Sequence, residues 1–89
     1  MTREQFESSL RHQGYEIFYG GFRADLENPD HAHAWDARLM ILGGEITITR
    51  DGKADTFRSG DTCAVPANYV HAEKVGSRGV AFIAGRKPA

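Results

Sequence analysis

The first residues of the chain repeat their apolar side chains with the period of an α-helix. Phe6 and Leu10 are four positions apart among polar neighbours, so they predict one apolar face on a short helix over residues 2–13. Thr2 is a favourable N-cap residue, and Gln5 can complete a capping box with it. One short helix is therefore expected ahead of the rest of the chain.

After the first glycine of the chain, at position 14, the apolar period changes to two, which is the period of a β-strand. Turn signals separate the alternating segments, and the residues Asp51-Gly52 are a strong hairpin signal. A break or bulge is expected at Gly20-Gly21, and turns are expected at Asn28-Pro29-Asp30, at Gly43-Gly44 and over residues 76–79. The predicted strands cover residues 15–19, 38–42, 45–50, 54–57, 62–65, 70–75 and 80–85.

Seven short strands with frequent turns predict an all-β domain, either a β-sandwich or a small barrel of jelly-roll type. A chain of 89 residues has room for one hydrophobic core, so residues 1–89 are interpreted as a single domain with its barrel over residues 15–86. Because a core of this size is modest, self-association would bury useful apolar surface, and a homodimer is expected.

Charge and cysteine content narrow the classes of function. The 11 Lys and Arg residues nearly balance the 12 Asp and Glu residues, which gives no reason to expect a nucleic-acid or membrane partner. The longest apolar run, residues 39–42, is far too short to span a bilayer, and the polar start of the chain does not resemble a signal peptide. The single cysteine, Cys63, fits a reducing compartment, so a cytoplasmic location is expected.

Three of the four histidines lie beside predicted strands. His31 and His33 flank one alanine, and side chains two positions apart on a strand point to the same face. His71, beside a later strand, can bring a third imidazole to them. Three imidazoles suit a divalent transition metal (Zn, Fe, Ni, Cu or Mn) and leave coordination positions open for water and substrate.

The two histidine segments resemble the two sequence motifs of the cupin superfamily. The first motif is His-x-His, then a Glu and a turn Gly, and here it reads His31-Ala32-His33 and ends at Gly44. The second motif is Gly, five residues, Pro-x-Gly, two residues and His, and here it runs from Gly60 to His71. The resemblance covers roughly residues 24–86. It implies a small single-domain cupin, a jelly-roll β-barrel that binds a metal through His31, His33 and His71.

Two positions depart from the cupin pattern. Ala37 stands where cupins place their metal-binding Glu, counting back from Gly44, and the neighbouring carboxylate of Asp36 belongs to the other strand face. Asn68 replaces the last Gly of the Pro-x-Gly turn. Because Asn tolerates a positive φ better than other non-glycine residues, this turn is expected to persist.

The carboxylate that would complete the site is left open by the sequence. Asp36 could be a fourth ligand, a group that orients a histidine N–H, or a surface carboxylate paired with Arg38 on the same strand face. Glu73, two residues after His71, could point inward as a ligand or base. The outer face of the strand is the commoner place for such a charge, and we expect Glu73 there.

Four other side chains have alternative interpretations. Trp35 could wall the mouth of a pocket, cover a dimer interface or cap the barrel. Tyr69 could donate a hydrogen bond to a ligand or lie exposed. Cys63 is expected to be a small buried apolar residue rather than a nucleophile, and His12 is expected to be exposed on the helix.

The resemblance leaves three functions open. A metal-dependent cupin enzyme would act on a small polar organic molecule as a dioxygenase, isomerase or lyase, with no general acid or base identified. A binding module would hold a metal or a small molecule without turnover. A vestigial cupin dimer would contain no metal at all. The enzyme predicts both a bound divalent transition metal (Zn, Fe, Ni or Mn) and a small-molecule ligand, and the binding module predicts one or the other.

Overall fold

The computed structural model describes residues 1–88, which form one helix and six strands. All strand pairs are antiparallel. The expected all-β fold with one short N-terminal helix is therefore confirmed. The elements are α1 (Arg3–His12), β1 (Glu16–Phe22), β2 (Glu27–His31), β3 (Trp35–Arg50), β4 (Lys53–Arg58), β5 (Thr62–Val65) and β6 (His71–Pro88).

Helix α1 begins as the sequence predicts. The backbone N–H of Gln5 donates to the Thr2 hydroxyl at 3.1 Å, and the backbone N–H of Thr2 donates to the Gln5 side chain at 2.8 Å. Phe6 and Leu10 are fully buried, and they pack against two strand residues, Met40 and Ile83. Burial contributes about 1.5–3 kcal/mol for each of these side chains, so the apolar face fixes the helix to the sheet.

The two longest strands, β3 and β6, connect the two halves of the sheet. The first half of β3 pairs with β5 and with the second half of β6, which also pairs with β1. The second half of β3 pairs with β4 and with the first half of β6, which also pairs with β2. The interior core joins both four-stranded sets through Ile41, Ile46, Ile48, Val65, Val75 and Val80.

Two of the expected turns are bends within continuous strands. β3 passes through Gly43-Gly44 and β6 passes through residues 76–79, whereas the sequence predicted that each segment would end one strand and begin another. The register between β3 and β6 shifts on both sides of Gly44, which has a φ of +70°. The glycines therefore form bulges that bend two long strands, because the backbone of Gly79 lies directly against Gly44.

The other two predicted interruptions are also wrong. β1 runs in regular register through Gly20-Gly21, where a Cβ on Gly21 would lie 2.5 Å from the Val80 carbonyl oxygen. Glycine there permits a close approach of two strands. Residues 28–30 belong to β2, and Pro29 is accommodated where the pairing with β6 is irregular. The hairpin at Asp51-Gly52 is confirmed, with positive φ at both residues.

Two expectations from the sequence are not tested by the structure. The interpretation of residues 1–89 as one domain stays a prediction, as does the homodimer. Within residues 1–88, no helix is long and apolar enough to cross a membrane.

Candidate metal centre

Three imidazoles converge at one end of the strands. His31 ends β2, His33 lies in the connection to β3, and His71 begins β6 directly opposite His31. One nitrogen atom of each ring lies within 4.8 Å of the corresponding atoms of the other two. The ring centroids are 4.3, 5.0 and 5.2 Å apart. The histidines singled out in the sequence are therefore brought together by the fold.

Backbone carbonyls orient two of the three rings. Nδ1 of His31 lies 2.8 Å from the Pro29 carbonyl oxygen, and Nδ1 of His71 lies 2.9 Å from the Tyr69 carbonyl oxygen. Because a carbonyl oxygen can only accept, these Nδ1 atoms carry a proton, and in the neutral ring the Nε2 atom then has a free lone pair. This is the tautomer that a metal-binding imidazole needs.

Two ring nitrogens at the cluster lack a hydrogen-bond partner within residues 1–88. They are Nε2 of His71, whose side chain is 1% exposed, and Nδ1 of His33. A buried polar atom without a partner costs about 1–3 kcal/mol, so the folded chain retains these nitrogens at a cost. A divalent cation would satisfy such lone pairs, and the donor set of three imidazoles fits one.

The environment of His33 favours its neutral form. Burial lowers the pKa of His33, and the neighbouring His31 and His71 lower it further, while the Glu73 carboxylate acts in the opposite direction. The ring also stacks on Trp35, with 4.7 Å between ring centroids and an angle of 14° between planes. The neutral ring, held in place by the indole, has a lone pair available for coordination.

Glu73 faces the histidines. Its Oε1 lies 3.8 Å from Nε2 of His31, its Oε2 lies 3.7 Å from Nε2 of His71, and its side chain is 11% exposed. Asn28 donates to Oε1 at 2.9 Å and holds the carboxylate. The expectation of an outer-face position is wrong, because β6 is regular here and period-two alternation from His71 carries Glu73 inward.

Asp36 supports the site from outside the cluster. Its Oδ1 accepts the backbone N–H of Ala67 at 2.8 Å, and the next N–H, of Asn68, donates to the His33 carbonyl at 2.6 Å. Asn68 has a φ of +62°, which confirms that this turn tolerates the replacement of Gly. These contacts join the His33 segment to the turn that leads to His71.

Of the three interpretations of Asp36, the pairing with Arg38 is not found within the described part of the chain. The Arg38 guanidinium instead donates to Ser9 at 3.2 Å and to Gln13 at 2.9 Å, both at the helix. The Arg38 side chain therefore joins β3 to helix α1. The alternation of residues along β3 does not by itself indicate this contact. Tyr69 also turns away from the site, since its hydroxyl donates to the Asp51 carboxylate and that bond raises the Tyr69 pKa.

A small cavity of about 110 Å³ adjoins the histidine cluster. Trp35 forms one wall, as one of its interpretations predicted, and Phe22, Leu39 and Phe82 supply further apolar surface. His33 and Glu73 reach the cavity from the histidine side, and Arg86 reaches it from β6. Sequence reasoning missed Arg86, although its alternation with Phe82 along the last strand was a usable signal.

Cys63 packs against the interior core from β5. Burial raises the pKa of its thiol from an ordinary value of 9.0 to about 11. A thiol with a raised pKa is a poor nucleophile at neutral pH, so Cys63 has the structural role expected from the sequence rather than a catalytic one.

The Cys63 thiol should therefore react slowly in the folded protein. Alkylation by iodoacetamide at pH 8 is expected to be at least about tenfold slower than in the same protein unfolded in guanidinium chloride, because the thiolate is scarce and access is restricted. Mass spectrometry of quenched samples measures the two rates. The folded-state rate should keep rising up to about pH 11. Equal rates in the two states would contradict the burial of this thiol.

Comparison with solved structures finds similar small β-proteins. A protein of unknown function from Rhizobium leguminosarum bv. viciae 3841 is 18% identical with a TM-score of 0.78, and the match covers 86% of this chain and 73% of that one. A cupin superfamily protein from Desulfitobacterium hafniense DCB-2 is 23% identical with a TM-score of 0.72, covering 84% and 68%. An RmlC-like cupin from Shewanella frigidimarina NCIMB 400 is 25% identical with a TM-score of 0.69, covering 84% and 67%.

No protein-family model matches the chain, and no curated protein matches it by sequence. At the identities of the solved structures, the likeness establishes the fold and carries no activity with it.

Proposed function

Because the chain has the fold of the small cupin proteins, we propose that it binds one divalent transition metal through His31, His33 and His71. The observation that carries the proposal is the convergence of three imidazoles of which two present buried, unpartnered nitrogens within residues 1–88. Zn, Fe, Ni and Mn all accept such ligands. When bound, the metal supplies Lewis-acid chemistry toward a small polar organic molecule.

Glu73 supplies the anionic group of this site. The Glu of the cupin pattern is replaced by Ala37 on β3, and the Glu73 carboxylate comes from β6 instead. Its two oxygens lie near the Nε2 atoms of both His31 and His71, and Asn28 keeps it in that position. A carboxylate beside neutral imidazoles lowers the net charge of a bound divalent cation and strengthens its binding.

Metal content tests the proposal directly. The protein is stripped with a chelator, reloaded separately with Zn, Fe, Ni or Mn, desalted and measured by elemental analysis. About one metal ion per chain is expected for at least one of these metals. His31→Ala should lose the metal, whereas His12→Ala, which changes the exposed histidine of α1, should keep it. Equal metal content in the two variants, or none in the wild-type protein, would contradict the proposal.

Removing the charge of Glu73 should weaken metal binding. The Glu73→Gln variant keeps the oxygen that accepts from Asn28 but loses the negative charge, and about 10–100-fold lower metal affinity is expected. Competition with a chromophoric chelator measures the affinity. Glu27→Gln, at an exposed position of β2, is the matched control and should leave the affinity unchanged. If Glu73→Gln binds as tightly as wild type, the carboxylate has no part in the site.

The cavity beside His33 favours a second function, the binding of a small organic molecule without turnover. Its apolar walls are formed by Phe22, Trp35 and Phe82, and the histidine cluster is at one side. This function would be supported if the metal-loaded protein binds a small molecule and does not convert it into a product.

The homodimer and the cytoplasmic location also stay proposals, and the mass of the purified protein in solution tests the first.

A further inference from the structure

Arg86 carries a positive charge at the wall of the cavity beside the histidine cluster. It lies on β6, between Glu16 of β1 and Ala37 of β3 in the strand register. Alternation along β6 puts Arg86 on the same face as Phe82, and both residues line this cavity. Arg86 is exposed, and its guanidinium adds a positive charge to a cavity that His33 and Glu73 also line.

Two aromatic rings hold the Arg86 side chain. Its Cζ atom lies 4.8 Å from the centroid of the Phe18 ring and 4.7 Å from the centroid of the Trp35 ring. The flat faces of a guanidinium stack on such rings, while its N–H groups point outward in the guanidinium plane. The two rings therefore restrict the Arg86 side chain, and neither ring is a conventional hydrogen-bond acceptor for its N–H groups.

The Arg86 guanidinium has neither a hydrogen bond nor an ion pair with any group of residues 1–88. The ion pairs of this part of the chain are Arg3–Glu7, Arg58–Glu45 and those of Glu73 with the two histidines. Glu16 is opposite Arg86 in the register, yet no ion pair joins them. By contrast, Arg38 and Arg50 both donate to named acceptors. Within residues 1–88, no protein group occupies the donors of Arg86.

We infer that Arg86 binds the carboxylate of a small organic acid whose apolar part enters the cavity. The inference deepens the proposed function, and it rests on that function only for the idea that the ligand lies beside a bound metal. Arginine offers two parallel N–H donors that match a carboxylate, and such charge-assisted pairs are among the strongest hydrogen bonds. The apolar part of the cavity, formed by Phe22, Leu39 and Phe82, would receive a short carbon chain. The Glu73 carboxylate in the same lining would repel a second negative charge on the ligand.

The size of the cavity limits the acid. The cavity is small, with a volume of about 110 Å³. Short monocarboxylates suit a cavity of this size better than nucleotides or sugar phosphates, which are much larger and carry more charge. A neutral amide of the same shape would fill the cavity equally well but would lose the charge-assisted pair.

The experiment uses butyrate as the probe and Trp35 as the reporter. The chain has a single tryptophan, so the change in its fluorescence on titration reports the cavity wall alone. Butyrate, butyramide and inorganic phosphate are titrated at constant ionic strength into chelator-treated protein and into zinc-loaded protein. Isothermal titration calorimetry repeats each titration without relying on fluorescence. We expect butyrate to bind with a dissociation constant of about 1 mM, at least about tenfold tighter than butyramide or phosphate.

Substitution of Arg86 separates its role from that of the metal. Arg86→Gln should weaken butyrate binding at least about tenfold. Arg86→Lys should bind butyrate with an affinity between those of wild type and Arg86→Gln, because Lys keeps the charge but cannot make two parallel hydrogen bonds to a carboxylate. Arg78→Gln, which changes an arginine in a separate cavity beside Gly44, is the matched control and should bind as wild type. Glu16→Gln tests whether that carboxylate competes with the ligand, and it should bind butyrate at least as tightly.

The outcomes distinguish this inference from the metal proposal. Arg86-dependent binding of butyrate to the chelator-treated protein supports the inference even if elemental analysis finds no metal. Equal binding of butyrate and butyramide, or unchanged binding by Arg86→Gln while its melting temperature matches wild type, overturns it even if the metal site is present. Tighter binding of phosphate than of butyrate also overturns it, since the ligand class would then be a different anion.

Discussion

Gly44→Ala should destabilise the protein by at least about 4 kcal/mol, whereas Gly43→Ala should change its stability by less than about 1 kcal/mol. At Gly44 the φ is +70°, and an added Cβ would lie 1.9 Å from the carbonyl oxygen of Gly79. An ordinary contact between carbon and oxygen is about 3.3 Å or longer, so the two strands would have to separate. At Gly43 an added Cβ meets nothing within 4 Å.

The expected loss is large compared with the whole stability of such a domain. At about 0.05–0.15 kcal/mol per residue, 89 residues give about 4–13 kcal/mol. Thermal unfolding followed by circular dichroism measures the two variants side by side. Gly44→Ala should melt about 15 °C or more below wild type, or show no cooperative transition at all. Similar melting temperatures for Gly44→Ala and Gly43→Ala would contradict the close packing of β3 against β6.

Local signals predicted those parts of the fold that depend on neighbouring residues. The capping box of Thr2 and Gln5, the helix face of Phe6 and Leu10 and the hairpin at Asp51-Gly52 each require only a few adjacent positions. Such interactions are formed within one turn of chain, so the sequence contains all of their determinants.

Glycine pairs were misread because the distinction between a turn and a bulge depends on a distant strand. At Gly44, where β3 bends without ending, the backbone carbonyl of Gly79, far along the chain, lies where a Cβ on Gly44 would be. Pro29 enters β2 for a similar reason, since the irregular pairing with β6 leaves room for a residue that cannot donate. Neither partner can be identified from local pattern alone.

The candidate site divides in the same way. The sequence indicated all three histidines, and the resemblance to the cupin motifs supported the same set. The reason given for His31 and His33 was strand alternation, whereas His31 ends β2 and His33 lies in the connection that follows it. Strand alternation from His71 predicts that Glu73 points inward. The general preference of charged side chains for solvent predicts the outer face, and that expectation was the wrong one. The role of Asn28 in holding Glu73 depends on how β2 pairs with β6, and the register shift there gives no sequence signal.

Metal binding should raise the melting temperature of the protein by about 15 °C or more. A ligand that binds only the folded state adds free energy according to its excess over the dissociation constant, and a thousandfold excess adds about 4 kcal/mol. The histidine cluster draws its members from β2, β6 and the connection before β3, so it does not exist in the unfolded chain. Differential scanning calorimetry with a chelator and with the metal that the protein retains measures the difference.

Two histidine variants show whether the stabilisation comes from this site. His31→Ala should melt at the same temperature with chelator and with metal, because the cluster then has only two imidazoles. His12→Ala should keep the full difference, since His12 is on α1 and exposed. The comparison is made within each variant, so any change in metal-free stability cancels. A metal-dependent increase that survives His31→Ala would assign the stabilisation to another part of the chain and contradict the site.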